Sequence, residues 1–403
     1  MKSNLTKKNF IQSTYLNSRY FKKLSINFNK IVSGINQEIL EFDTTLNILS
    51  ENYNFNFKEK DIKKFRNYKN LVIIGMGGSI LGTEAIFNFL NKKIKKKVFF
   101  FNNLNSDAIL NFKDKVNFNK TLFIVISKSG ETIETLSNLL SLNIIKSSRK
   151  NIIIITEKKN NSLNLLSKKY NLYFIEHKEN VGGRYSVLSE AGIIPAIIMG
   201  LNISKLRYDL KKYLNVEHKR YLRESSIKIS SILLNKKCNN IILINYAPEL
   251  EKFLYWYQQL LAESLGKKGK GFLPVVSNCP KDHHSLLQLY LDGPKDKFYH
   301  IFSYHHDDKI ILNSRKIFKL SHLHGKNIKK IKHAQKEALI KAFQKNKIPF
   351  REFKIKKITE ETLGELFAYF ILETIIIGKL SGLNPFDQPA VEQVKIFTKK
   401  LLK

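Results

Sequence analysis

Short apolar runs punctuate the chain from residue 71 onward: Leu71–Ile74, Val98–Phe101, Leu122–Ile126, Ile152–Ile155 and Leu172–Ile175. Each is too short for a buried helix, and several are bounded by Gly, Ser, Asn or Thr, so each predicts a strand. Between them, spacings such as Ile133, Leu136, Leu139 and Leu140 predict helices. Strands alternating with helices make βαβ units, and hence an α/β fold with a doubly wound parallel sheet. A second series starts at Ile241–Ile244 and continues through Phe272–Val276 and Tyr299–Ser303. Long helical patterns separate the two series, over about 185–236, and close the chain, over about 327–347, 360–380 and 389–402. Residues 1 to about 69 are polar with intermittent apolar positions (Val32, Ile35, Ile39, Leu40, Phe42) and predict helices lying over another surface. The expected organisation is an N-terminal helical segment over 1–69, α/β subdomains over 70–215 and 216–380, and a C-terminal helical arm over 381–403.

Composition narrows the partners. With 403 residues, 43% of them hydrophobic and 11% aromatic, the chain can build a true core. A formal charge of +35 invites a nucleic-acid reading. The lysines, however, are spread along the chain, and Arg, the better phosphate and base reader, occupies only about nine scattered positions. Abundant Asn and Ile indicate a general compositional drift, so the charge reads as a solvated basic surface that attracts anionic metabolites, with no nucleic-acid partner. Cys238 and Cys279 are too few and too distant for a disulfide framework, which fits a reducing cytosol. Met1 to Leu16 carries no apolar signal-peptide core. Apolar runs fall far short of the ~20 residues a membrane span needs, so a soluble, cytoplasmic chain is expected.

Five clusters could carry chemistry. After the Leu122–Ile126 run come Ser127, Lys128, Ser129, Gly130, Glu131 and Thr132, and then a helical pattern. A helix N-terminus offers unpaired N–H groups and a positive dipole end, which suits a phosphate, and three hydroxyls add donors. Simple Ser/Thr capping is the alternative. Gly75-Met-Gly-Gly78-Ser79-Ile-Leu-Gly82 follows the Leu71–Ile74 run. It lacks the third glycine of the dinucleotide fingerprint, which Ile80 replaces, and it has no Gly-Lys-Ser/Thr, so it points to a small anion instead of a nucleotide. Gly182-Gly183-Arg184-Tyr185-Ser186 would let backbone approach a ligand beside a permanent cation. A helix through Trp256, Gln259, Leu260 and Glu263 puts a carboxylate on a largely apolar face, either for use or for pairing with Lys267 in solvent. The fifth cluster is His283-His284-Ser285 with Gln288 and Asp292. A Cys279–His nucleophile pair, and metal binding by His305, His306, Asp307 and Asp308 or by His322 and His324, find little support in adjacency alone.

These clusters, with Asp387-Gln388-Pro-Ala-Val-Glu-Gln-Val-Lys395 near the C-terminus, resemble the glucose-6-phosphate isomerase family, whose two subdomains are of the sugar-isomerase type. The resemblance runs from about residue 70 to 400 in the family's order. It implies that Ser127, Lys128, Ser129 and Thr132 hold the substrate phosphate, with Gly78 and Ser79 nearby. It implies that Glu263 is the base carrying a proton between C1 and C2 through a cis-enediol, and that Arg184 and the Gly183 backbone stabilise the charge formed. His284 and Lys395 would open the sugar ring and Gln388 would contact substrate. It implies no cofactor and no metal, a place in glycolysis and gluconeogenesis, and a homodimer whose active site is completed by a His of the neighbouring subunit. His283 and His284 both remain candidates for that role, spacing to Gln288 favouring His284. Other readings are an isomerase of another sugar phosphate, such as mannose 6-phosphate, and a sensor that binds phosphosugar without turnover. A sensor would need the phosphate turn but not Glu263, Arg184, His284 and Lys395 together. The basic run Lys267–Gly271 has no explanation in the sequence.

Overall fold

The computed structural model describes residues 4–145, 150–304, 310–314 and 318–402. The run His305, His306, Asp307 and Asp308 lies outside the described residues. Strands β2 (Asn70–Gly75), β3 (Lys97–Phe101), β4 (Thr121–Ile126), β5 (Ile152–Thr156) and β6 (Tyr173–Glu176) form one sheet in the order β3-β2-β4-β5-β6. All its pairings are parallel. Its central strands are near-continuous Ile, Leu, Val and Phe because both faces are covered by helices. Leu71, Ile73, Leu122, Ile124, Ile153 and Ile155 enter one core. Val72, Ile74, Phe123, Val125, Ile152 and Ile154 enter the other.

The second sheet has the order β1-β10-β9-β7-β8, with β7 (Asn240–Asn245), β8 (Leu273–Asn278), β9 (Lys297–Tyr304) and β10 (Phe350–Ile355) parallel. Its edge is β1 (Leu5–Phe10), which pairs antiparallel with β10 from Leu5↔Ile355 to Phe10↔Phe350. Here the sequence reading is corrected: residues 1–69 are not helical throughout, because their first stretch is a strand of the distant sheet. The helix Ser18–Leu40 then follows, burying Leu24, Phe28, Val32, Ile35 and Ile39 along one stripe. The helical patterns expected over about 185–236 form several short helices and turns followed by the continuous helix Val216–Asn235.

One core joins the two subdomains, and the Glu360–Leu380 helix runs buried through it. Its Glu373 takes both Nη groups of Arg351 from β10, at 2.6 and 2.9 Å, and a hydrogen bond from Tyr369 at 2.6 Å. Arg351 also meets His300 of β9, with Nε 3.2 Å from the ring Nε2. Burial and the charge of Arg351 keep His300 well below its ordinary pKa. A buried pair of this kind is costly when one member is removed, since the other is left as an unpaired charge. No helix among the described residues is long and apolar enough to cross a membrane.

Candidate active site

The loops after β2 and β4 stand at the carboxyl ends of parallel strands, the usual ligand position in an open α/β sheet. The turn Gly77–Ser79 lies against the turn Gly183–Leu188. A Cβ on Gly78 would stand 2.1 Å from the carbonyl carbon of Gly183, so only glycine permits this approach. Ser186 Oγ ties the two by donating to Gly183 O at 2.8 Å and to Gly78 O at 3.3 Å.

Arg184 leaves this junction buried, and each of its five N–H groups has an acceptor. Nε donates to Ser264 Oγ at 2.9 Å. Nη1 donates to Glu263 Oε2 at 3.1 Å and to Gln388 Oε1 at 2.7 Å. Nη2 donates to Pro385 O at 2.6 Å and to Asp387 O at 3.1 Å. That uses the full donor capacity of a guanidinium. Trp256 Nε1 donates to the Arg184 carbonyl at 3.1 Å, so the indole fixes the backbone behind the cation.

Glu263 sits near the C-terminal end of the Glu251–Leu265 helix, whose Trp256, Leu260 and Leu261 are buried. Its carboxylate faces Arg184 and not Lys267, so the surface-pair alternative does not hold. Gln259, one turn earlier, donates Nε2 to Glu263 Oε1 at 2.8 Å. Its own Oε1 is buried without a partner among the described residues. The four-residue spacing to Glu263 was the available signal for this residue, which the sequence reading left without a role. A cavity of about 450 Å³ opens beside Glu263 and Gln259, bounded by Tyr255, Lys252, Asn102 and Glu84.

The phosphate-turn residues surround the start of the Ile133–Ser141 helix. Ser127 is buried, and its Oγ lies 2.9 Å from Thr132 Oγ1 and accepts from Gly130 N at 3.2 Å. Ser129 Oγ accepts from Glu131 N at 3.2 Å. Thr132 precedes the helix without capping it through its side chain. Lys128 is turned toward another edge: its Nζ donates to Glu179 O at 2.7 Å and lies 3.8 Å from Glu157. Burial lowers its pKa, with Glu157 and Glu179 opposing the shift.

Gln388 is thus joined to Arg184, and only through it to Glu263, while His284 and Lys395 are not. His283 is half-buried, its Nε2 2.6 Å from Tyr246 Oη, and burial lowers its pKa. His284 is exposed at the end of the Lys281–His284 turn and bonds to none of the site residues. Lys395 is exposed on the Glu392–Leu401 helix and pairs with Glu392 at 2.6 Å. Burial pushes the Cys279 thiol up to about 12, which disfavours a thiolate there. Among the described residues no group of three or more His, Cys, Asp or Glu could hold a metal ion, the His322 and His324 pair included.

The phosphoglucose isomerase family model matches residues 54–271. The chain is 33% identical to a protein of Methanococcus maripaludis named a probable glucose-6-phosphate isomerase, with 87% of this chain and 82% of that one covered. It is 30% identical to the glucose-6-phosphate isomerase of Campylobacter jejuni, covering 96% of this chain and 99% of the other. In three dimensions it matches a crystal structure of a glucose-6-phosphate isomerase from Chlamydia trachomatis with a TM-score of 0.78 at 16% identity, over 100% of this chain and 89% of that chain, a likeness of fold. The chain belongs to the phosphoglucose isomerase family.

Proposed function

We propose that the chain interconverts glucose 6-phosphate and fructose 6-phosphate, an aldose–ketose isomerisation of glycolysis and gluconeogenesis. The observation that carries this reading is the contact of Glu263 with a fully engaged Arg184 beside two sheet-end loops suited to an anion. The phosphate sits against Ser127, Ser129, Thr132 and the N-terminal N–H groups of the Ile133–Ser141 helix, with Gly78 and Ser79 close by. Lys128 contributes charge there without a direct contact in its present orientation. Anchoring one end of the sugar fixes C1 and C2 against the base.

Glu263 takes the proton from C2 of the open-chain aldose. The electron pair of that C–H bond forms the C1–C2 double bond, and the carbonyl electrons move to O1, giving the cis-enediol after protonation there. Glu263 then returns its proton to C1 through the electrons of the double bond, while the O2 hydroxyl releases its proton, offsetting the one O1 gained, and its electrons form the C2 carbonyl of the ketose. Arg184 and the Gly183 backbone hold the negative charge while it resides on oxygen, worth a few kcal/mol in such sites. Gln388 and Gln259 orient the hydroxyls near the reacting carbons. His284 and Lys395 open the ring. No hydride leaves the substrate, so this chemistry asks for no redox cofactor.

The reading includes a homodimer. His284 is exposed and bonds to nothing at its own site, which suits a residue used by the neighbouring subunit. The Glu392–Leu401 helix buries no residue and leaves Val394, Phe397 and Leu401 at 68%, 59% and 87% exposure, an apolar stripe in want of cover. Two free cysteines fit a cytoplasmic enzyme. The test is incubation of the pure protein with fructose 6-phosphate while following glucose 6-phosphate, with and without EDTA. Turnover insensitive to EDTA is expected; no turnover would overturn the reading.

A further inference from the structure

We infer that Lys267 is a positioning residue for this reaction: it pins the loop from which the Arg184 guanidinium hangs, and so sets where that cation stands relative to Glu263. The inference rests on the isomerase reading above. It gives a role to the basic run Lys267–Gly271.

The catalytic helix ends at Leu265, and the chain then closes a tight turn. Lys267 N donates to Lys270 O at 3.0 Å and Lys270 N returns a bond to Lys267 O at 2.9 Å. The two residues between, Lys268 and Gly269, have φ of 52° and 65°, the left-handed pair that such a two-residue turn requires. Both flanking lysines reach the same distant segment. Lys270 Nζ donates to Ser381 O at 2.9 Å. Lys267 Nζ donates to Asn384 O at 2.5 Å, Asp387 O at 2.5 Å and Asp387 Oδ1 at 2.6 Å. Three donors are all an ammonium has. One loop takes them all.

That loop also accepts from Arg184. Pro385 O and Asp387 O receive Nη2, and Asp387 O is shared by both cations. Gln388, the next residue, receives Nη1. The Lys267 ammonium also holds the Asp387 carboxyl below its usual range and occupies one of its oxygens. Without Lys267 the loop loses three bonds, and the Asp387 carboxylate becomes a rival to Glu263 for the guanidinium. Among the described residues no hydrogen bond or ion pair joins the phosphate turn to these groups, and its Lys128 meets Arg184 only through the repulsion of two positive charges. Loss of Lys267 should therefore weaken stabilisation of the enediolate while leaving ground-state binding nearly intact.

The test measures kcat, KM for fructose 6-phosphate, thermal melting, and inhibition by inorganic phosphate and by a five-carbon sugar-phosphate hydroxamate that mimics the enediolate. In Lys267→Met, kcat should fall roughly 10- to 100-fold, the scale of a small misplacement at a reacting centre. KM and phosphate inhibition should move less than about 3-fold, because uniform binding is untouched. The hydroxamate should weaken in step with kcat, and Lys267→Arg should recover most of the loss. A folded Lys267→Met with normal kcat, or with a raised KM alone, would overturn the inference. Should Lys267→Met fail to fold, Lys267→Gln is read on the same measures with the same expectations. Wild-type protein without isomerase activity would instead sink the reading on which the inference rests.

Discussion

Arg184 Nη1 lies 3.1 Å from Glu263 Oε2, and the same nitrogen holds Gln388 at 2.7 Å. The pair defines where charge travels during the reaction. In the resting site the guanidinium balances a carboxylate. In the proposed mechanism Glu263 becomes neutral when it takes the substrate proton, and the negative charge appears on the sugar oxygens a short distance away. Because Arg184 is locked by its other acceptors, it keeps its place while the charge moves, and no reorganisation is required of it.

Replacing Glu263 with Gln keeps the size and the contact to Arg184 but removes the base. Isomerisation should fall by at least ~100-fold, the lower end for losing a general base. Calorimetric affinity for the sugar phosphate should change little. If Glu263→Gln kept its rate, another carboxylate would be the base.

The hydroxyl pair Ser127–Thr132, 2.9 Å apart, offers a different outcome. Thr132→Val keeps the shape ahead of the helix and removes one donor. If the turn only retains substrate, KM alone should rise. If it also holds C1 and C2 against Glu263, kcat should fall as well, by roughly 10-fold for a modest misplacement. We expect both parameters to move, and steady-state kinetics separate the cases.

The exposed His284 makes the proposed dimer testable without a structure of it. Glu263→Gln and His284→Ala should each be nearly inactive alone. In a mixed dimer, one site pairs the intact Glu263 of one chain with the intact His284 of the other. Refolding the two variants together should restore a substantial part of the wild-type rate. Mixtures that stay as inactive as their components would place the histidine's role within its own subunit, or remove it.

Lys7 on β1 predicts a pH effect on stability. Its Nζ lies over the rings of Tyr213 and Tyr369, 3.7 and 4.8 Å from their centroids. Burial lowers its pKa from 10.5 to about 7, with Glu365 opposing the shift. A base with a lowered folded pKa is bound by its proton more weakly when folded. Between about 7 and 10.5 the unfolded chain therefore holds the extra proton, and this group's contribution to stability rises with pH across that window. Below about 7 both states are protonated and the penalty is complete. Lys7→Met should melt higher than wild type near pH 6–7, and the difference should shrink toward pH 10. Parallel melting curves across that range would refute the burial argument.

The strands legible in the sequence were those with unbroken apolar runs, and the two that escaped explain the limit. β1 reads Leu-Thr-Lys-Lys-Asn-Phe, and its Lys7 is tucked beneath aromatic rings that come from other elements. β10 reads Phe-Arg-Glu-Phe-Lys-Ile, where Arg351 and Glu352 are buried because Glu373 and Lys336 meet them. Hydropathy ranks such positions as surface, since it cannot see a partner from a distant segment. At the site, Ser127–Thr132, Arg184, Glu263 and Gln388 were named from motifs, and the resemblance supplied the roles. Lys267 was visible only as excess charge or as a solvent partner for Glu263, because its purpose lies in carbonyls of residues more than one hundred positions later. His284 and Lys395 do not reach Glu263 within one chain.

The pairing of β1 with β10 sets an order of events at the ribosome. Among the described residues β1 has a single sheet neighbour, about 340 residues downstream; at about 5–20 residues per second it waits roughly 20–70 s for that neighbour to emerge. The β2–β6 sheet, whose strands all lie before residue 177, can meanwhile assemble from nearer segments. β1 is thus made before every other strand of the two sheets and is among the last of them placed, and the enzyme closes its second sheet by reaching back across the whole of its first.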